Sequence, residues 1–376
     1  MKTLVKILKK PITSTLIAVL FGFLVAAIVL VLAGYNPGQA FGALFNGIFS
    51  KPKYISNVII KATPIILTGL SVAFAFQTGL FNIGAEGQYI AGTVFAVLVG
   101  VKLNLPPVLQ IPIVVLVGVL GGAIFGGIVG LLKAKFGIHE VITSIMLNWI
   151  GLYLCNFVVN TTAYHQQNST SSFPVNESSF TMLLPKWKTS ESGMAALRPH
   201  KWLYEMMMRT DVNFGIIVAI IMTALVWFLL YRSQKGYELR AVGFNRDAAE
   251  FAGINVNRNI IHSMLIAGAL SGLAGALSIT GTAPHSISTL AAFENSGFNG
   301  LSVALIAGSS PVGCVFAGLL FGGLLYGGQS VQQDVGAPTE IINIMIGTIV
   351  FFVALTRIVP VLADRLGKRG AEQHAQ

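Results

Sequence analysis

The sequence predicts an all-α polytopic membrane protein of about ten transmembrane helices, arranged as two inverted five-helix halves with a cytoplasmic helix between them. Three observations carry that prediction. Of 376 residues, 54% are hydrophobic and 10% charged, against roughly 25% charged in a soluble protein, so there is too little charge to coat a globule. Apolar runs near 20 residues recur along the chain, the helix length a hydrocarbon core of about 30 Å requires. The Lys and Arg residues fall unevenly on alternate loops. A soluble enzyme, a coiled coil and a disordered chain are excluded.

The spans run at about 12–34, 58–80, 88–102, 110–132, 139–160, 213–231, 260–281, 297–309, 312–329 and 340–360. Met1 to Lys10 followed by apolar residues looks superficially like a secretory signal. Its apolar region is too long for one, so it reads as an uncleaved first span. With spans so counted, 15 of the 24 basic residues lie on one side: 2, 6, 9, 10, 133, 135, 232, 235, 240, 246, 258, 357, 365, 368 and 369. Short loops of the other side hold Lys51, Lys53 and Lys102, five more lie in one long loop, and Lys61 sits within a span, where it can snorkel outward. The positive-inside rule therefore places both termini in the cytoplasm, and the net charge of +10 is a topology signal rather than a nucleic-acid footprint. Cys155 and Cys314 sit inside apolar spans as small hydrophobes.

Spans three and eight are short, and each adjoins an irregular polar stretch, Gly79 to Gly87 and Glu294 to Gly300. They hold the same ordinal place in the two halves. Phe81-Asn82 is followed by Ile90-Ala91-Gly92 as Phe298-Asn299 is followed by Ile306-Ala307-Gly308, and Gly122-x-x-Phe125-Gly126-Gly127 matches Gly318-x-x-Phe321-Gly322-Gly323. Five spans per half is odd, so the second half enters from the opposite face as an inverted repeat; chance alignment of Gly-rich sequence is the alternative. In such repeats, interrupted segments at corresponding positions point to the transport pathway. Glycines at three- and four-residue spacing in spans four and nine read as tight helix packing.

The polar loop 161–212 faces outside, with a Ser/Thr-rich stretch and with Trp187, Lys188, Lys201 and Trp202. It reads either as a docking surface for an external partner or as a solvated loop with interfacial tryptophans. The cytoplasmic stretch 236–258 does not belong to a generic bundle. Asn245 suits an N-cap, Asp247 the positive first turn and Gly253 a left-handed stop, framing a helix of about two turns. Phe244, Ala248, Phe251 and Ala252 are spaced to share one face, and the segment also carries Arg246 and Ala249.

Gly243-x-Asn245-x-x-Ala248-Ala249-x-x-x-Gly253-Ile254 resembles the coupling segment of ATP-binding-cassette importer permeases in the form used by the branched-chain amino acid, simple-sugar and nucleoside group. Phe81-Asn-Ile-Gly-Ala-Glu-Gly-Gln88, with Glu140-Val-Ile-Thr-Ser-Ile-Met-Leu-Asn148, is most similar to the nucleoside branch, and the loop 161–212 to the longer of its two paired permeases. The resemblance covers nearly the whole chain from the second span onward. It implies one transmembrane permease domain over 1–376 in a bacterial cell membrane, working with a second permease (a homologue), cytoplasmic ATPases that carry ATP and Mg2+, and an extracytoplasmic substrate-binding lipoprotein. Residues 244–249, 251 and 253 become the ATPase-coupling set. The chain has no Gly-x-x-x-x-Gly-Lys-Ser/Thr loop of its own, so it is expected to be a non-enzymatic subunit without a cofactor or metal. The same machine importing a simple sugar or branched-chain amino acid is the near alternative, and an ion-coupled secondary transporter the distant one.

Polar side chains in spans usually face the bundle interior or a cavity. Glu86 is open to lining the pathway, capping a helix or pairing at the cytoplasmic end. Asn82, Gln88, Asn295 and Asn299 flank the short segments and offer donors and acceptors suited to a nucleobase or ribose, and Phe81 and Phe298 are matched aromatics able to stack on a base; packing or capping is the competing role for each. Asn148, beside Trp149 in mid-span, reads first as interhelical glue and second as a substrate contact. No chain of ionisable residues runs through the spans, which favours a neutral cargo.

Overall fold

A computed structural model describes residues 11–355; the basic clusters at both termini and the end of the tenth span lie outside them. Each of the ten apolar runs contains a helix. In chain order the helices are α1 Pro11–Leu32, α2 Pro37–Phe49, α3 Pro52–Gln77, α4 Ala85–Gly100, α5 Pro107–Phe136, α6 Glu140–Asn160, α7 Pro185–Lys188, α8 Glu191–Leu197, α9 Lys201–Met208, α10 Gly215–Arg232, α11 Gln234–Phe244, α12 Arg246–Phe251, α13 Val256–Gly281, α14 Ser296–Ile306, α15 Pro311–Val335 and α16 Thr339–Ala354. Six of them (α3, α5, α6, α10, α13 and α15) are long and apolar enough to cross a membrane, and shorter apolar helices lie at Ile17–Leu32, Ser296–Ile306 and Thr339–Ala354. The protein is a polytopic helical membrane protein.

Two helices were not expected. The sequence reads residues 35–57 as a loop, yet α2 forms there because Asn36 caps it, its Oδ1 accepting from Gly38 N at 2.8 Å, with Pro37 at the first position. Ala40, Ala43, Leu44, Gly47 and Ile48 then make one buried stripe. Likewise the stretch from Gln234 to Phe244 is helical as α11, capped by Ser233 and burying Leu239 and Val242, so the polar stretch 236–258 holds parts of two helices before α13 rather than one.

The described residues divide into two compact units, 11–51 with 324–355 and 52–323. In the first, α1 packs on α16; Gly22 lets the Ile349 backbone approach, and Phe21 meets Phe352 edge-on at 4.9 Å. In the second, α13 is central, packed on α5, α4 and α3. Gly118, Gly122 and Gly126 of α5 face Gly268 and Gly272 of α13 so closely that a Cβ at Gly122 would overlap the opposing backbone. The small-residue spacing thus sets the tightest helix contact of this unit.

Candidate functional site

The centre of the larger unit is a junction of two half-helices. At 16 and 11 residues, α4 and α14 are about 24 and 16 Å long, each short of a full crossing. Their N-termini meet. Glu86, in the first turn of α4 and fully buried, accepts from Asn295 N at 2.8 Å through Oε1 and from Gly297 N at 2.6 Å through Oε2. One carboxylate thus satisfies two orphan donors of α14 and sits where two positive helix ends converge. Gly297 is needed because a Cβ there would strike the Ala85–Glu86 backbone.

From that junction the half-helices diverge. α14 follows α3, from Thr68, whose hydroxyl donates to Ser296 O at 2.9 Å, down to Gln77, whose Nε2 donates to Ser309 O at 3.1 Å. Gln77 and Gly79 lie against Gly243 of α11, at the end of the fold that carries α12. α4 runs the other way, ending where Gly100 O accepts from Asn176 N of the long loop at 2.9 Å.

The other expected polar residues lock the start of α4. The amides of Asn82 and Gln88 pair reciprocally at 2.9 and 3.0 Å. Asn82 Nδ2 also donates to Ser71 Oγ, which donates to Ala267 O, so one network joins α3, α4 and α13. Asn148 Oδ1 accepts from Gly87 N at 2.8 Å and its Nδ2 donates to Ile83 O at 3.1 Å. Asn82, Glu86, Gln88 and Asn148 are all buried, with these hydrogen-bonding atoms directed at the protein itself.

Phe81 and Phe298 do not occupy matching places. Phe81 precedes α4 by four residues and packs on Phe76, whereas Phe298 lies inside the first turn of α14 and packs on Phe293. The sequence echo is therefore out of register with the helices. Asn295 is exposed in the left-handed region at φ 66°, and Asn299 is half-buried. Trp149, exposed on α6, stacks on Tyr153 and meets Phe293 edge-on at 4.9 Å. Phe293 and its exposed neighbour Glu294 escaped the site reading, although Glu294 is the lone acidic residue between the seventh and eighth runs.

The segment around α12 has the opposite character. Asn245 Oδ1 caps α12 by accepting from Ala248 N at 3.0 Å, and Gly253, at φ 81°, ends it with Gly253 N and Ile254 N donating back to Glu250 O and Ala249 O. Phe244 and Phe251 are 91% and 98% exposed, and Arg246, Asp247 and Ala248 are also accessible. Ala249, grouped with them from sequence, is buried and belongs to the inner face. Behind α12 lies a cavity of about 740 Å³ lined by Lys235, Glu238, Gly253, Arg258 and His262 among others. Lys235, at 2.8 Å, with help from Asn259, holds the Glu238 carboxyl below its ordinary range.

The long loop is an ordered cap over the end of α13. Thr181 N donates to Thr280 O, and Asn213 Nδ2 to Gly281 O at 3.0 Å. His285 stacks on Phe180 at 3.8 Å with its Nδ1 at 2.8 Å from Ile279 O; burial lowers its pKa. Trp187 and Trp202 remain exposed.

Similarity to known proteins fits this geometry. The guanosine ABC transporter permease protein NupP of Bacillus subtilis is 38% identical over 95% of this chain and 97% of its own length. The nucleoside ABC transporter permease protein NupB of Lactococcus lactis is 37% identical over 93% of this chain and 92% of its own. NupQ, a second guanosine ABC transporter permease protein of the same Bacillus strain, is 26% identical over 70% of this chain and 78% of its own length. No solved structure matches. The family model described as "Branched-chain amino acid transport system / permease component" matches residues 54–354, and the chain belongs to that family of transport permeases.

Proposed function

We propose that this chain is the transmembrane permease subunit of an ATP-driven importer of nucleosides. The observation that carries the reading is the near-full-length likeness to NupP and NupB. In this reading α12 docks into a cytoplasmic ATPase that holds ATP and Mg2+, with Phe251 at its end and Phe244 at the end of α11 as the aromatic contacts. A side chain 98% exposed on a short, doubly capped helix is what a partner cleft would cover. ATPase closure then shifts α12, and through α11, which abuts the end of α3 at Gly243, biases the bundle between inward- and outward-open states. Such coupling needs the ATPase to bind one state more tightly than the other.

The charge distribution favours both termini in the cytoplasm of a bacterial cell, and the opposed half-helices support ten passages in two inverted halves, two of those passages completed by irregular chain leading into α4 and α14. The second permease is a homologue, as the naming of NupP and NupQ from one strain suggests, and a substrate-binding lipoprotein delivers solute at the face of the loop 161–212. Co-expression with the neighbouring subunits, reconstitution with the binding protein, and uptake of a panel of nucleosides, sugars and branched-chain amino acids tests this. ATP-dependent nucleoside uptake is expected; uptake indifferent to ATP and to loss of the ATPase sinks it.

A further inference from the structure

Residues 290–295, between the long-loop contacts and α14, form no helix or strand, and Ala291, Ala292, Glu294 and Asn295 are exposed. Their position is not peripheral. Asn295 N reaches Glu86, Leu290 is held by Asn156 of α6, at 2.7 and 3.0 Å, and Phe293 lies on Trp149 midway along α6. Irregular backbone at membrane depth is tolerated only where protein buries it or water reaches it, never against lipid. This segment is not buried by its own chain.

The side chains around it are of two kinds. On one side Tyr153, Trp149, Phe293 and Phe298 form a ladder with ring centroids 6.1, 4.9 and 5.6 Å apart. On the other, the exposed carboxylate of Glu294 lies within electrostatic reach of the buried Tyr89 and of Lys61, which is exposed on α3 two turns before Thr68.

We propose that the turn 290–295 is a water-accessible transit subsite for a solute that combines a flat ring with a vicinal diol, with Glu294 reading the diol and the Trp149–Phe293–Phe298 ladder taking the ring. A carboxylate has about four acceptor positions, enough for Glu294 to accept from two adjacent hydroxyls. The aromatic faces offer stacking without base selectivity. This rests on the nucleoside-importer reading and adds to it a selectivity element inside the permease itself.

The test uses the whole transporter reconstituted with its binding protein. Uptake of a ribonucleoside is compared with that of its 2′,3′-dideoxy analogue in the natural protein and in Glu294→Gln. A site that hydrogen-bonds a hydroxyl discriminates strongly against its absence, so Glu294→Gln should lower the ribonucleoside preference about tenfold. The binding protein is the same in both, so a changed ratio belongs to the permease. An unchanged ratio with nucleoside uptake intact overturns the subsite and leaves the importer reading standing; failure of the natural transporter to import any nucleoside overturns the importer reading and the subsite with it. Ala292→Cys gives a second readout independent of that variant's assembly, because Cys155 and Cys314 are buried. A charged aqueous thiol reagent should label it, and transported nucleoside should slow the labelling. Absence of labelling, as when a second permease seals the turn, or labelling that nucleoside does not slow, overturns the proposal.

Discussion

The half-helix junction and the α12 segment invert each other. At the junction, polar side chains lie inside an apolar bundle with their partners in the same chain, as Glu86, Asn82, Gln88 and Asn148 do. At α12, aromatic side chains project from a polar segment, with Phe244 and Phe251 almost wholly exposed. Buried polarity fixes this chain's own geometry, because every unpaired donor in a low-dielectric interior carries a desolvation cost. Exposed aromatics contribute little burial within the isolated chain, and in the proposed reading a partner protein covers them. Substitutions in the first region should therefore be read in stability, and in the second in coupling.

Glu86→Ala should break the junction most severely. It strands the N–H groups of Asn295 and Gly297 at the meeting of two helix ends, each about 1–3 kcal/mol of lost satisfaction, and should lower the thermal midpoint of the detergent-purified protein and its yield. Glu86→Gln retains an acceptor and should lose less. Equal loss in both would mean that the carboxylate's charge at the helix ends, rather than its hydrogen bonds, holds the junction.

At α12 the expectation reverses. Ala248→Asp or Phe251→Ala should leave the stability of the isolated permease within about 0.5 kcal/mol of the natural protein, as for exposed sites, while uptake falls severely and ATP hydrolysis continues without transport. Ala249 is unsuitable for this test because it is buried, so a charge there would confound docking with folding. A Phe251→Ala variant that transports normally would reduce α12 to a connecting loop.

Asn148→Leu should have a smaller effect. An interhelical hydrogen bond in a membrane bundle is worth about 0.6 kcal/mol on average, and here two are lost, to Gly87 N and Ile83 O. The melting shift should be clearly below that of Glu86→Ala. A loss as large would show that Asn148, not Glu86, anchors the start of α4.

The fold was legible wherever apolar length alone decides, which is why the ten runs and the cap at Asn245 could be read directly. α2 and α11 were missed because both are amphipathic or polar and do not register as apolar runs, although Asn36-Pro37 and Ser233 were available as start signals. The candidate site was legible in composition but not in role. Sequence identifies Glu86 as a costly carboxylate; only the three-dimensional meeting of α4 and α14 identifies it as a cap on a helix some 210 residues away. Phe81 and Phe298 show the converse, a sequence echo that the helix starts do not share. Glu294 and Lys61 are distant in sequence, so their relation to one exposed turn left no local pattern.

The smallest effect concerns the loop cap over the end of α13, a third region that resembles the junction in being ordered by its own contacts. Burial lowers the pKa of His285, so the folded cap favours neutral imidazole, whose Nδ1–H donates to Ile279 O, while the unfolded loop titrates near the ordinary value of about 6.5. A histidine with a depressed folded pKa contributes stability above its unfolded pKa and loses it as the pH falls toward the folded value. The cap should therefore be firm at neutral pH and loosen on acidification, seen as faster amide exchange in residues 176–183 and 280–287. His285→Asn keeps a side-chain donor and removes the titration, so its exchange should be insensitive to that pH change. If natural protein and variant loosen alike, the acid response arises elsewhere in the loop.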